Sequence, residues 1–213
     1  MRILFWKIGA IGDVVMTTPL VRQVRAACPS DHIDYLVGRA AAAVLAGNPH
    51  LSNVIGFDEA ILSGPRPHRL ASLIRILRRY DLVYVLDKHW IFGLLARLAG
   101  IPRRIGFARG REGMMHTARV VYGPLRHEMH YYLDLAAAAG LTPDQDDLRA
   151  DVPVDPAGVV AGEYAVLCNA GGNNIRERDT ASIAVAQAAG DIDRRSAPDQ
   201  LLIMLFGIGT ACH

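Results

Sequence analysis

Cysteine is scarce in this chain of 213 residues: Cys28, Cys168 and Cys212 are the only three, far apart and odd in number. That excludes a disulfide framework and the paired spacings of a structural zinc site, and a reducing cytoplasm is the expected home. Charge of one sign is also missing. A formal net charge of +2 is too small to mark a nucleic-acid-binding protein, and none is expected as a partner. Nor is there a long unbroken apolar run. The most apolar internal stretch, LVYVLDKHWIFGLLARLAGI (82–101), contains Asp87, Lys88, His89 and Arg97 and makes a poor membrane span. The first residues lack the pattern of a secretory leader, because Arg2, Lys7 and Asp13 interrupt the apolar run and no small-residue cleavage site follows.

Hydrophobic residues make up 51% and charged residues 21%, a globular balance with room for one large domain, or one domain and part of another. Short β-rich runs alternate with helical patterns. RILFWK (2–7), IDYLV (33–37), NVIGF (53–57), DLVYVLD (81–87) and RRIGFA (103–108) read as strands. A helical pattern runs from the first turn to about Cys28, RAAAAVLAG follows the second strand, and HYYLDLAAAAGL (130–141) is a further helix. LASLIRILRRY (70–80) is amphipathic, with Leu70, Leu73, Ile74 and Leu77 on one stripe, and IFGLLARLAG (91–100) is closed by Gly100 and Pro102. Alternation of this kind implies an α/β fold with a parallel sheet and helices on both faces. Ligands then bind at the carboxyl ends of strands, which puts residues 8–13, 87–90 and 169–174 at functional edges.

Residues 142–158, TPDQDDLRADVPVDPAG, are rich in Pro and Asp and read as a linker, so a first Rossmann-like domain is expected over 1–157. EYAVLCNAGGNN (163–174) resembles the opening strand and Gly turn of a second α/β unit, which gives 158–180 as its start. Residues 181–213 continue no such pattern and are expected to be an atypical tail, too short for a second sheet domain.

The turn after the first strand, GAIGD (9–13), holds Gly9 and Gly12 but does not match G-x-G-x-x-G. A phosphate there would face the carboxylate of Asp13, so the loop is a poor pyrophosphate cradle. Spacing alone favours Asp13 as a helix N-cap. Thr18 followed by Pro19 is a competing N-cap and N1 pair, and leaves the start of the helix open. A nucleotide-dependent oxidoreductase would need a glycine fingerprint and an acidic residue closing the second strand, where Gly38 and Arg39 stand instead.

Several stretches, in order, resemble the family 9 glycosyltransferases, the lipopolysaccharide heptosyltransferases: MRILFWKIGAIGDVVMTTPLVRQVRAACPSDHIDYLV, YDLVYVLDKHWIFGLLARLAGIPRRIGF, HYYLDLAAAAGL and YAVLCNAGG. The likeness covers roughly residues 1–180. It implies the amino-terminal half of a GT-B fold with an incomplete second domain. It also implies an acceptor-binding front domain, with a rear one for a nucleotide-sugar such as ADP-heptose. By resemblance Asp13 is the general base that takes a proton from an acceptor hydroxyl as that oxygen displaces the nucleoside diphosphate with inversion. Lys7, Gly9, Gly12, Asp87 and Lys88 are candidate acceptor contacts. For Lys7 a solvated strand end is an equal alternative.

In NAGGNNIRER, Gly171 and Gly172 with Arg176 and Arg178 are candidate contacts to the donor diphosphate, without a metal and without any cofactor. The Lys/Arg-Trp-Pro segment usual after this loop in the family is missing. Arg75, Arg78, Arg79, Arg103, Arg104, Arg109 and Arg111 suit an acidic lipid A–core acceptor or the inner membrane leaflet, although most arginines on such helices are simply solvated faces, which is the better account of them. His127 and His130, in HEMH, share a helix face with His116 upstream but lack a further ligand, so no metal site is expected. Two functions follow from the resemblance. One is an inverting sugar transferase acting on a lipopolysaccharide core, impaired by loss of the donor domain. The other is a non-catalytic acceptor-binding remnant.

Overall fold

The first strand lies inside the sheet, with a neighbour on each side. β1 (Arg2–Lys7) is apolar from Ile3 to Trp6, and all four of these side chains are buried, as in a strand covered by helices on both faces. The computed structural model describes residues 1–58, 61, 67–108 and 110–152. These belong to one unit, Met1–Val154; the other, Asp155–His213, lies outside them. So do the sequence expectations for 158–180 and 181–213.

Among the described residues, β1 lies in a parallel sheet with β2 (His32–Gly38), β3 (Asn53–Phe57), β4 (Leu82–Val85), β5 (Arg103–Ala108) and β6 (Ala118–Val121), in the order β3–β2–β1–β4–β5–β6. The chain winds outward from β1 to β3 and then returns to place β4 against the other side of β1. The order therefore reverses between β1 and β4, and the crevice beyond their carboxyl ends is where such sheets bind ligands.

Alternation along the central strands feeds two cores. Ile3 and Phe5 of β1 and Tyr84 of β4 pack with α1 (Ile11–Met16), α2 (Thr18–Ala27), α3 (Ala42–Leu45) and the last described helix, which opens at Glu128. Leu4, Trp6, Val83 and Val85 pack with α4 (Pro67–Leu77) and α5 (Trp90–Leu98) on the other face. That helix is α6 (Glu128–Ala138). The Phe5 ring stacks on Tyr84 at 4.8 Å, its register partner across the strands. Each large apolar side chain buried this way stabilises by about 1.5–3 kcal/mol, so this layering outweighs the exposed ion pairs.

Five of the six strands match the sequence reading; β6 does not appear in it. β6 is a short edge strand with alternate residues exposed, which gives little apolar signal. Leu70, expected on the buried stripe of α4, is exposed, while Leu73 and Leu77 are buried. The stretch expected as one helix to Cys28 is two, broken at Thr17 before Pro19. Thr18 is the first residue of α2 rather than its cap. The Oγ1 atoms of Thr17 and Thr18 donate to Val14 and Val15 carbonyls, taking over acceptors at the break.

The segment read as a linker starts as a strap. Arg22 on α2 donates to Asp151 (Nε–Oδ2 2.6 Å), to Asp147 and to the Arg149 carbonyl. Thr18 Oγ1 accepts the Asp151 N–H, and Gln23 exchanges hydrogen bonds with the Asp144 backbone. Residues 144–151 are thus bonded to α2. His116 ends a 3-10 turn (Arg111–Met115) and does not share a helix with His127 and His130. Its ring lies against Gly106 of β5, where a Cβ would stand 2.5 Å from the ring.

Candidate active site

Three side chains meet at the crevice between β1 and β4. Lys7 is the last residue of β1, and Asp87 follows β4 by two residues. Asp13 is in the first turn of α1. Lys7 Nζ stands 3.0 Å from Asp13 Oδ2 and 3.4 Å from Asp87 Oδ1. Asp87 Oδ2 accepts the Ile8 N–H at 2.6 Å.

Two sequence alternatives fail here. Asp13 is not a cap: the N-cap position is Ala10, and no side chain bonds there. Nor is Lys7 a solvated strand end, being only 4% exposed. Its stem continues the face that buries Phe5, and its ammonium needs the two carboxylates to be buried at all. The Asp13 carboxylate, in contrast, is 44% exposed. An ion pair with one partner so exposed stabilises the fold by only about 0.2–1 kcal/mol, so what the contact chiefly supplies is geometry.

Burial pushes the Asp87 carboxyl above its ordinary range, although Lys7 and the Ile8 N–H pull the other way. The two carboxylates and one ammonium leave the crevice with a local excess of negative charge. A diphosphate would be repelled, while a neutral hydroxyl would meet an outward-facing carboxylate. Gly9 lines the same turn, and a Cβ there would meet no atom within 4 Å; Gly12 lies in the first turn of α1.

Lys88 turns away toward a second cluster. Its Nζ is 2.6 Å from Glu128 Oε1 and 4.7 Å above the Tyr122 ring, and Tyr122 donates to the same oxygen at 2.8 Å. Burial raises the Glu128 carboxyl, but the bonds from Lys88 and Tyr122 outweigh it and hold that carboxyl below its ordinary value. Tyr132 Oη is buried near this cluster and has no hydrogen-bond partner among the described residues. Sequence reading missed Glu128, Tyr122 and Tyr132, because nothing in their spacing points to the β4 edge. It also passed over Trp90, which opens α5 beside Asp87 and is 51% exposed; an aromatic directly after a strand-end Asp-Lys-His was the available signal.

Other candidates fall elsewhere. His127 caps α6 and His130 meets Gln145. Among the described residues no group of three or more His, Cys, Asp or Glu side chains gathers as for a metal ion. Arg104 donates to the Ile101 and Met115 carbonyls and Arg103 to that of Ala139, so neither is merely solvated, whereas Arg75, Arg78 and Arg79 are exposed. No described helix is long and apolar enough to cross a membrane. Gly171, Gly172, Arg176 and Arg178 lie outside the described residues, as does Arg109, and nothing is described of the Arg111 side chain.

No family model matches the sequence. The chain is 30% identical over 177 residues to lipopolysaccharide heptosyltransferase 2 of Escherichia coli K12, covering 79% of this chain and 49% of that protein. It is 29% identical to the Salmonella typhimurium protein of the same name, with the same coverage. The chain thus spans about half the length of the curated relatives it matches. Among solved structures, the E. coli ADP-heptose lipopolysaccharide heptosyltransferase II superposes with a TM-score of 0.59 at 25% identity, over 74% of this chain and 48% of that one. An E. coli heptosyltransferase solved with ADP-2-deoxy-2-fluoro heptose shares the fold at a TM-score of 0.64 and 19% identity, over 82% and 60% of the two chains.

Proposed function

Because the chain belongs to the lipopolysaccharide heptosyltransferase family, we propose that its described unit receives a sugar acceptor at the carboxyl edge of the sheet, with Asp13 as general base. In this reading Asp13 takes the proton of an acceptor hydroxyl while that oxygen bonds to the anomeric carbon of a nucleotide-sugar such as ADP-heptose. The bond from that carbon to the diphosphate breaks, the configuration inverts, and ADP leaves. The observation that carries the reading is the half-exposed Asp13 carboxylate at the strand-order reversal, held by a buried cation.

Gly9 and Gly12 line the acceptor side, Trp90 offers a rigid apolar face at the start of α5, and Lys88 serves the acceptor only through its cluster with Glu128 and Tyr122. Arg176 and Arg178, with Gly171 and Gly172, receive the departing diphosphate without a metal. The acceptor is a lipid A–core saccharide. The exposed arginines Arg75, Arg78 and Arg79 hold the protein against an anionic leaflet on the cytoplasmic side.

The test uses the full chain with ADP-heptose and a lipid A–core acceptor, reading ADP release and product mass. Asp13→Asn should lower turnover by about 10²–10⁴-fold, and a chelator should leave the rate unchanged. Equal turnover of Asp13→Asn and the parent removes Asp13 from the mechanism. Acceptor binding without ADP release would assign the chain to acceptor recognition alone. Neither binding nor transfer refutes both.

A further inference from the structure

We propose that Lys7 is a positioning residue: its buried ammonium, anchored on Asp87, holds Asp13 so that one carboxylate oxygen stays open to an incoming hydroxyl. The inference rests on Asp13 as the base and adds a residue that does not itself meet the substrate.

The contacts form one chain from backbone to base. The Ile8 N–H fixes Asp87 Oδ2 at 2.6 Å, Asp87 Oδ1 meets Lys7 Nζ at 3.4 Å, and Nζ reaches Asp13 Oδ2 at 3.0 Å. Both ends of the anchor are rigid. Lys7 is paired in register with Val37 across the sheet, and Asp87 follows a four-residue strand buried throughout. Asp13 has no such support. It rides on a six-residue helix whose cap position makes no side-chain bond, and among the described residues its only ion pair is with Lys7. Its Oδ1 atom has no partner among the described residues.

Burial also decides what Lys7 does not do. A cation that binds an acceptor phosphate must face the cleft, yet this one is 4% exposed and engaged by two carboxylates. A base misplaced by about 1 Å costs on the order of 10²-fold in rate, so a fixed cation behind an otherwise loosely held carboxylate has a kinetic consequence. The acceptor role expected for Lys7 and Asp87 from the sequence gives way to support of Asp13.

The experiment uses the full chain and the variants Lys7→Met, Lys7→Arg, Asp87→Asn and Asp13→Asn. Steady-state transfer from ADP-heptose should show Lys7→Met lowering kcat about 10- to 100-fold with the acceptor KM within about twofold, and Lys7→Arg recovering part of the loss. Independently of turnover, three-bond NMR couplings of Asp13 should report one side-chain rotamer in the parent. They should report averaged rotamers in Lys7→Met and in Asp87→Asn, although Asp87 does not touch Asp13. An unchanged Asp13 rotamer in both variants overturns the proposal. So does a raised acceptor KM at constant kcat, which would make Lys7 a substrate contact. If circular dichroism shows Lys7→Met unfolded, the double variant Lys7→Met/Asp87→Asn removes the charges together and carries the same rotamer prediction. Parent-level turnover of Asp13→Asn sinks the reading of Asp13 as base while the couplings still judge the anchoring.

Discussion

Replacing Tyr80 by Phe deletes a single oxygen at the amino edge of the sheet, opposite the candidate site. Asp34 of β2 is 1% exposed there. Its carboxylate accepts from Tyr80 Oη at 2.7 Å and Asn53 Nδ2 at 2.9 Å, with His32 Nε2 at 2.9 Å and Arg2 at 3.5 Å. Burial, and then the carboxylate itself, push the Tyr80 hydroxyl well above its ordinary value, so it donates throughout the accessible pH range. A hydrogen bond to a charged group contributes about 1.5–3 kcal/mol. With three other partners left to Asp34, the expected loss is at the lower end, about 1.5 kcal/mol. For a chain of this size that lowers Tm by roughly 3–6 °C. Calorimetry and urea titration are the assays, and the urea midpoint should fall while m stays constant. In a double-mutant cycle with Asp34→Ala, most of the loss should disappear. A Tyr80→Phe protein within about 0.5 kcal/mol of the parent would refute the reasoning that this phenol helps keep Asp34 buried.

Gly106→Ala should destabilise by about 1–3 kcal/mol, since its methyl would lie 2.5–2.9 Å from three ring atoms of His116. Gly9→Ala, which meets nothing within 4 Å, should melt within about 0.5 kcal/mol of the parent, and matched thermal melts check both. For Lys88→Met the effect depends on pH. Lys88 and Tyr122 hold Glu128 below its ordinary 4.5, so the pair's stabilisation is present above that value and is lost as pH falls through the folded-state value. Urea midpoints should therefore differ at neutral pH, by about 0.5–1 kcal/mol for so partly exposed a pair, and converge on acidification below 4.5. A difference that persists unchanged in acid would remove Glu128 as the titrating partner.

The middle of the sheet was legible because β1 and β4 are buried on both faces. RILFWK and DLVYVLD read as near-continuous apolar runs, and the helices between them forced parallel crossovers. β6 was not legible, because an edge strand with alternate residues exposed lacks that run. The place of Asp13 followed from a strand followed by a turn. The character of its neighbourhood did not, because Lys7 and Asp87 are 80 residues apart in the chain. Only the β1–β4 pairing turns a nominally solvated lysine into a buried one. The same holds for Glu128, which reaches Lys88 only because β5 and β6 carry the chain across the sheet before α6 begins. Local propensity also misjudged residues 144–151. Asp within that stretch and Pro on either side of it suggested a linker, and the guanidinium that captures it lies on a helix more than a hundred residues earlier.

That capture sets a timetable for folding. Arg22 leaves the ribosome 125 and 129 residues ahead of Asp147 and Asp151, the carboxylates it will hold. At cellular rates of synthesis this is a wait of roughly 6 to 26 seconds. Throughout that interval Thr18, Arg22 and Gln23 wait for the partners they hold in the folded unit, and a nascent chain stalled before residue 144 would lack every one of those bonds.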